Sequence, residues 1–185
     1  VANFGDGAAN IGAFHESLNL AALWDLPVIF LCQNNRYAEH TSFANSTRVK
    51  NISTRAAGYG MEGVTVNGND PDEIYGAVRI AVERARAGHG PTLIEAMTFR
   101  FEGHYFGDPS DYIPDEQMKA ANAAHPMPRY RQRLLDMGAA TEAELAAIEA
   151  DIKAQVEEAA EFALNSPYPS VDELDLDVYK ERTPA

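Results

Sequence analysis

The sequence is poor in cysteine, in basic residues and in long apolar runs, and each shortage excludes something. One cysteine in 185 residues rules out an internal disulfide. Cys32 falls inside the apolar run LPVIFLCQ, which predicts a buried strand residue and a reducing, cytoplasmic-type compartment. No apolar stretch reaches the ~20 residues of a membrane span, and no basic-then-apolar signal opens the chain. Lys and Arg number 15 against 28 Asp and Glu, a net charge of -13. That balance argues against nucleic acid and against anionic membrane as partners. The acidity is uneven: residues 136–185 hold thirteen acidic and three basic side chains, -10 of the total. Most of it therefore says little about a site further upstream. The dinucleotide pattern G-x-G-x-x-G and the P-loop pattern G-x-x-x-x-G-K-[ST] are both missing.

What is present alternates between two hydrophobic periods. Length and 45% hydrophobic content suit one ordinary domain with a substantial core. Residues 1–4 read as a short buried strand, 11–24 as an amphipathic helix, and 26–32 as a strand covered on both faces. The stretch 34–51 is a long polar loop, of the sort that is often functional. Ser53 is expected to cap a short helix ending near Gly58 or Gly60. Residues 63–66 read as a strand. Asp70, Pro71 and Glu73 spell an N-cap, a first helical position and a capping box, and Gly88 stops that helix. PTLIEAMTF, 91–99, is another strand, interrupted by Glu95, which is expected to be salt-bridged or at an edge.

This order predicts an α/β fold with a doubly wound, mostly parallel sheet over 1–114. Ligands in such sheets lie outside the C-terminal strand ends, where 99–114 forms a second long loop. A helical C-terminal extension with an acidic tail is expected over 115–185. Within it Pro126 and Pro128 bracket a turn, a short basic helix covers 129–137, and Thr141 and Glu144 box a helix running to about Leu164. SPYPSVDELDLDVY reads as an extended tail. A strand starting at residue 1 suggests the C-terminal part of a larger chain, or one piece of an obligate complex.

Two strand ends carry the chemistry. In GDGAAN, Gly5 and Gly7 permit close backbone approach and backbone N–H groups face an anion. Asp6 alone would repel that anion, which makes sense if a hard cation lies between them. Without a ligand, the same residues make a plain Asp-Gly turn. Asn34–Asn35 ends the next strand on the same sheet edge and offers further oxygens, although alone it reads as a turn. Together the two elements point to a metal-bridged diphosphate. His104 sits in the second loop, where a near-neutral pKa suits proton handling. An ordinary surface histidine is the alternative.

The combination of GDG, a helix, a buried strand and NN resembles the thiamine-diphosphate motif. The longer stretch GDGAANIGAFHESLNLAALWDLPVIFLCQNNRY, continued by GPTLIEAMTFRFEGHYFGDP, resembles the alpha subunit of two-subunit 2-oxo acid dehydrogenase E1 enzymes. That family includes pyruvate, branched-chain 2-oxo acid and acetoin dehydrogenases. The resemblance implies a partial thiamine-diphosphate-binding fold with thiamine diphosphate and Mg²⁺ as cofactors. It implies Asp6, Asn35 and the Tyr37 carbonyl as metal ligands, and Gly7 and Ala8 as diphosphate contacts. Arg100 supports the loop or the anion, and His104 acts near the reacting carbon.

The implied activity is oxidative decarboxylation of a pyruvate-like 2-oxo acid, with acyl transfer to a lipoyl-bearing E2. The implied partners are an E1 beta subunit, which supplies the carbanion-generating glutamate, and an α2β2 assembly. Acetoin is the alternative substrate. A non-catalytic E1-like interaction fragment and a Mg²⁺-dependent nucleotide-binding protein remain open. Two departures stand out. Tyr105 occupies the position of the phosphorylatable serine of mitochondrial pyruvate members. The chain also begins at GDG, whereas the family has a long portion before it, so the chain is expected to be inactive by itself. Arg36 and Arg48 are weaker candidates for a substrate carboxylate. His15 and His40 are within possible reach of the site, and Trp24 reads as a core or subunit contact.

Overall fold

The computed structural model describes residues 1–174 and 176. The C-terminal part of the expected tail lies outside the described residues. Two compact units divide the chain, residues 1–130 and the described residues from 131 onward.

The first unit is built on four parallel strands: β1 (Ala2–Gly5), β2 (Ile29–Asn34), β5 (Glu62–Asn67) and β6 (Thr92–Met97), in spatial order β1-β2-β6-β5. A two-stranded hairpin, β3 (Tyr37–Ala38) and β4 (Thr41–Ser42), interrupts the loop after β2. Alternation along the central strands sends side chains to two separate cores. Phe30, Cys32 and Leu93 pack with Phe14, Leu18 and Ala21 of α1 (Gly12–Leu23), and with Ile52 and Ala56 of a 3₁₀ segment, Ile52–Tyr59. Ile29 and Ile94 pack on the opposite face with Ala81 of α3 (Pro71–Arg86). Helical elements thus cover both faces of a parallel sheet. Fully burying a Leu or Phe stabilises by roughly 1.5–3 kcal/mol, so Leu18 and Leu93, both 0% exposed, are major contributors.

Several local expectations need correction. β1 is a sheet edge and mostly exposed, not a buried strand, because only β2 pairs with it among the described residues. Trp24 is 62% exposed, so of its two expected roles the core contact fails, while an exposed ring still suits a subunit contact. Ser53 does not cap its segment, which follows Asn51 without a side-chain cap; Gly60 at φ 69° ends it. The Ser53 N–H donates instead to Glu95. Asp70 does cap α3, accepting from the N–H groups of Asp72 and Glu73. Glu73 closes no box, since its carboxylate accepts the Asn67 N–H at 2.9 Å. Glu95 lies on an inner strand at 0% exposure, and none of its hydrogen-bond partners is a cation.

α2 is one turn, Phe43–Ser46. After the long loop come α4 (Asp115–Ala123) and α5 (Pro126–Asp136). Pro126 and Pro128 bracket no turn; both sit in the first turn of α5, where a missing N–H costs no helical bond. In the second unit the Thr141–Glu144 capping box opens α6 (Glu142–Asn165). Ile148, Ile152, Val156 and Phe162 of α6 are all exposed. No helix among the described residues is long and apolar enough to cross a membrane.

Candidate active site at the β1 and β2 strand ends

Gly5 pairs with Gln33 in parallel register, so Asp6 and Asn34–Asn35 leave the sheet side by side. Asp6 is 2% exposed and its Oδ2 has no hydrogen-bond partner. Burial pushes its pKa up. The backbone N–H groups of Asp6 and Asn35 and the charge of Arg100 pull it back, while Glu95 pushes it further up. A buried polar atom left unsatisfied costs about 1–3 kcal/mol, more for a charged group. A cation next to Oδ2 would remove that cost.

The Asn35 Oδ1 accepts the Tyr37 N–H at 3.0 Å, which leaves one lone pair of that oxygen for another partner. Between them Arg36 is held at φ 73°, a left-handed conformation unusual for a residue with a side chain. This bend turns the chain back into β3. Tyr37 is buried; its ring packs against Phe99 and Tyr112, and its hydroxyl donates to Gln117. Its carbonyl accepts weakly from Arg100 at 3.5 Å. Asp6, Asn35 and Tyr37 therefore offer a carboxylate, an amide and a carbonyl at adjoining chain ends. All are oxygen donors, the set that suits Mg²⁺ or Ca²⁺. No three His, Cys, Asp or Glu residues gather into a metal cluster among the described residues.

Gly7 and Ala8 open a 3₁₀ turn, Gly7–Asn10, five residues ahead of α1 rather than at its first turn. A Cβ on Gly7 would lie 2.6 Å from the Ala38 Cβ. Glycine is needed there for close approach to the β3 hairpin. Arg55, which sequence reasoning passed over, ties this turn down by donating to the Ala9 carbonyl and to Asn10 Oδ1.

The second loop is organised around Asp108. Its carboxylate accepts the N–H groups of His104 and Ser110 and the Tyr112 hydroxyl, and His40 lies 3.7 Å away. Those donors, led by the His104 N–H, draw its pKa down to about 2. Arg100 fastens this loop to the first one, donating to the carbonyls of Glu39 and Glu102 and to Tyr112. His104 is half exposed with its Nε2 3.6 Å from Glu39. Its backbone N–H is tied through Asp108 and Tyr112 to Arg100, whose charge acts on Asp6.

Asp108 lies at the end of the stretch GPTLIEAMTFRFEGHYFGDP, but the sequence reading gives it no role there. Tyr112 and Gln117 lie beyond that stretch, and Gln117 meets Tyr37 across 80 positions of sequence, which no local pattern records. His15 pairs through its Nδ1 with the Tyr59 hydroxyl. Arg36 lines an open groove of about 680 Å³ at the β5 and β6 ends, together with Asn67, Asn69, Thr98, Gln117 and Arg129. That groove includes neither Asp6 nor His104.

Comparison with known proteins identifies the family. Residues 1–172 match the family described as "Dehydrogenase E1 component", and the chain belongs to that family. Three of its relatives are named as alpha subunits. It is 45% identical over 177 residues to the alpha subunit of acetoin:2,6-dichlorophenolindophenol oxidoreductase from Bacillus subtilis (strain 168), covering 95% of this chain and 53% of that one. It is 41% identical over 179 residues to the pyruvate dehydrogenase E1 component subunit alpha of Rhizobium meliloti (strain 1021), covering 96% and 51%. The 2-oxoisovalerate dehydrogenase subunit alpha of Bacillus subtilis (strain 168) is 45% identical over 166 residues, covering 89% and 50%. The chain thus spans about half the length of the curated relatives it matches.

Proposed function

We propose that the chain is the diphosphate- and Mg²⁺-binding part of a thiamine-diphosphate-dependent E1 alpha subunit. The enzyme decarboxylates a pyruvate-like 2-oxo acid and passes the acyl unit to a lipoyl-bearing E2 protein. The observation that carries this reading is the buried, unpartnered Oδ2 of Asp6 beside Asn35. A buried carboxylate with an empty lone-pair direction fits a hard cation, and the neighbouring amide and carbonyl oxygens fit the same ion. Family membership supports the cofactor.

When bound, thiamine diphosphate supplies a nucleophilic carbon and an electron sink for decarboxylation. Asp6, Asn35 and the Tyr37 carbonyl would hold Mg²⁺ against its diphosphate. Gly7 and Ala8 would allow the backbone to lie close to the phosphates. Arg100 keeps the two loops in register. His104 would hold or move a proton at its Nε2 near the reacting centre, with Glu39 beside it. The principal base belongs to an E1 beta subunit in an α2β2 assembly, so no residue of this chain takes that role.

The test is a titration of thiamine diphosphate into the alpha chain assembled with its beta subunit, with and without Mg²⁺. Cation-dependent binding that Asp6→Ala abolishes is expected. ATP binding at the same site with no thiamine diphosphate binding would overturn the reading in favour of a nucleotide-binding protein. Acetoin is the second substrate reading, supported by the 45% identity to the acetoin-named relative. Turnover of pyruvate, a branched 2-oxo acid and acetoin by the assembled enzyme separates the two.

A further inference from the structure

Glu95 is a carboxylate sealed at 0% exposure in the sheet interior, and the mechanism above does not use it. Such a group is costly to bury unless every lone pair is met. Three donors from three different elements meet it. The Asn34 side-chain amide donates to Oε1 at 2.8 Å, the Ser53 N–H to Oε2 at 3.1 Å, and the Thr65 hydroxyl to Oε2 at 3.2 Å. The end of β2, the 3₁₀ segment and β5 therefore converge on one side chain.

The Asn34 contact leads outward to the candidate cation site. Asn34 gives its NH₂ to Glu95, so its Oδ1 must face the other way, where it accepts the Arg36 N–H at 3.0 Å. An amide can be turned over at little intrinsic cost. Here the turned-over form would set Oδ1 against a carboxylate and NH₂ against an N–H. Glu95 thus dictates which way the amide points. That orientation anchors Arg36, which sits at φ 73°, an arrangement that persists only where its surroundings hold it. The same turn carries Asn35 and the Tyr37 carbonyl.

We infer that Glu95 is a positioning residue for the cation site, acting through Asn34 on the Asn35–Tyr37 turn. The inference rests on the reading that Asp6, Asn35 and Tyr37 hold a divalent cation. Glu95→Gln keeps the shape and loses one acceptor. Its single oxygen can face Asn34 or Ser53, and the other donor then meets an NH₂. The Ser53 N–H cannot turn round to accept, so one hydrogen bond is forfeited.

The test uses the alpha chain assembled with its beta subunit and thiamine diphosphate, with Mn²⁺ as the probe, free Mn²⁺ being read by electron paramagnetic resonance. Outer partners of metal ligands typically affect metal affinity by about 10–100-fold, so Glu95→Gln is expected to weaken Mn²⁺ binding about tenfold. Turnover should recover at saturating Mg²⁺, giving a raised KM for Mg²⁺ at nearly constant kcat. Thr65→Val lies on the exposed edge strand and removes one donor from Oε2. It is expected to weaken Mn²⁺ binding about twofold, the scale of one modest hydrogen bond, and it decides alone if Glu95→Gln fails to assemble. Wild-type affinity in these variants, with Asp6→Ala still losing the cation, overturns the inference and leaves the cofactor reading intact. Turnover that saturating Mg²⁺ does not restore also overturns it, because the damage is then general. No cation-dependent binding in the wild type sinks both readings.

Discussion

Two aspartates in two loops show opposite solutions to the same problem. Asp6 is buried with one oxygen left unpartnered, and burial drives its pKa up. Asp108 has a side chain 2% exposed, yet three donors converge on it and its pKa falls to about 2. The chain completes one carboxylate from within and leaves the other incomplete. An incomplete carboxylate at paired strand ends is a place for a ligand, whereas a completed one in a loop is a fastener. That difference fits the proposed division: binding at the β1 and β2 ends, and Asp108 as a fastener of the 99–114 loop.

The largest expected effect breaks the comparison at Asp6. Asp6→Asn should lower Mg²⁺ or Mn²⁺ affinity by at least about a hundredfold, more than typical losses from outer partners. Isothermal titration of the assembled protein measures this. The same change should leave cation-free stability unchanged or raised, because it removes a buried charge. The pH dependence has a definite sign. The folded-state pKa of Asp6 lies above 3.8, so the folded chain holds that proton longer than the unfolded chain does. The Asp6 contribution to cation-free stability is greatest below 3.8 and falls as pH rises through its folded pKa. Asp6→Asn should flatten that part of a denaturation-versus-pH curve, and an unchanged slope would contradict the assignment.

The two glycines flanking Asp6 sharpen the same comparison with a smaller effect. A Cβ at Gly7 meets the Ala38 Cβ at 2.6 Å, while one at Gly5 meets nothing within 4 Å. Gly7→Ala must push the 3₁₀ turn and the hairpin apart. Overpacking of this kind costs about 1–3 kcal/mol, and a urea unfolding curve should show it. Gly5→Ala should fall within about 0.5 kcal/mol of the wild type. Equal effects at both positions would mean that GDG is a flexibility motif rather than a close-approach motif.

Much of the fold was legible because periodicity reports which side of an element meets the core. The continuous apolar run LPVIFLC marked β2 as a strand covered on both faces, and the spacing of Phe14, Leu18 and Ala21 marked the buried face of α1, as the structure has them. Local signals failed where a long-range partner outbid them. Glu73 faces the Asn67 N–H and not its own helix end. The Ser53 backbone serves Glu95, and its hydroxyl meets Thr65. The strand ends of the site were legible for a different reason: GDG and NN place polar groups where strands stop. The fastening of the second loop was not legible. Arg100 reaches Glu39 across 61 positions of sequence, and no local pattern records a contact of that kind.

The smallest expected effect is at Asp108, and it separates order from binding. Asp108→Asn keeps the size of the side chain but turns an NH₂ toward one of its donors, His104 N–H or Ser110 N–H. The loop should loosen, with faster amide exchange at His104 and Ser110. Cation affinity should stay within about twofold, since the hydrogen-bond partners of Asp108 among the described residues are His104, Ser110 and Tyr112, not Asp6, Asn35 or Tyr37, and sites without shared partners couple weakly. The pH sign is opposite to that of Asp6. The Asp108 pKa is lowered from 3.8 to about 2, so its stabilisation is fully present above 3.8 and is lost as pH falls toward 2. Wild-type exchange at His104 should therefore quicken over that window, while Asp108→Asn exchanges rapidly throughout it. A tenfold fall in cation affinity in Asp108→Asn would erase the division of labour between the two aspartates, because the fastener would then be part of the binding site.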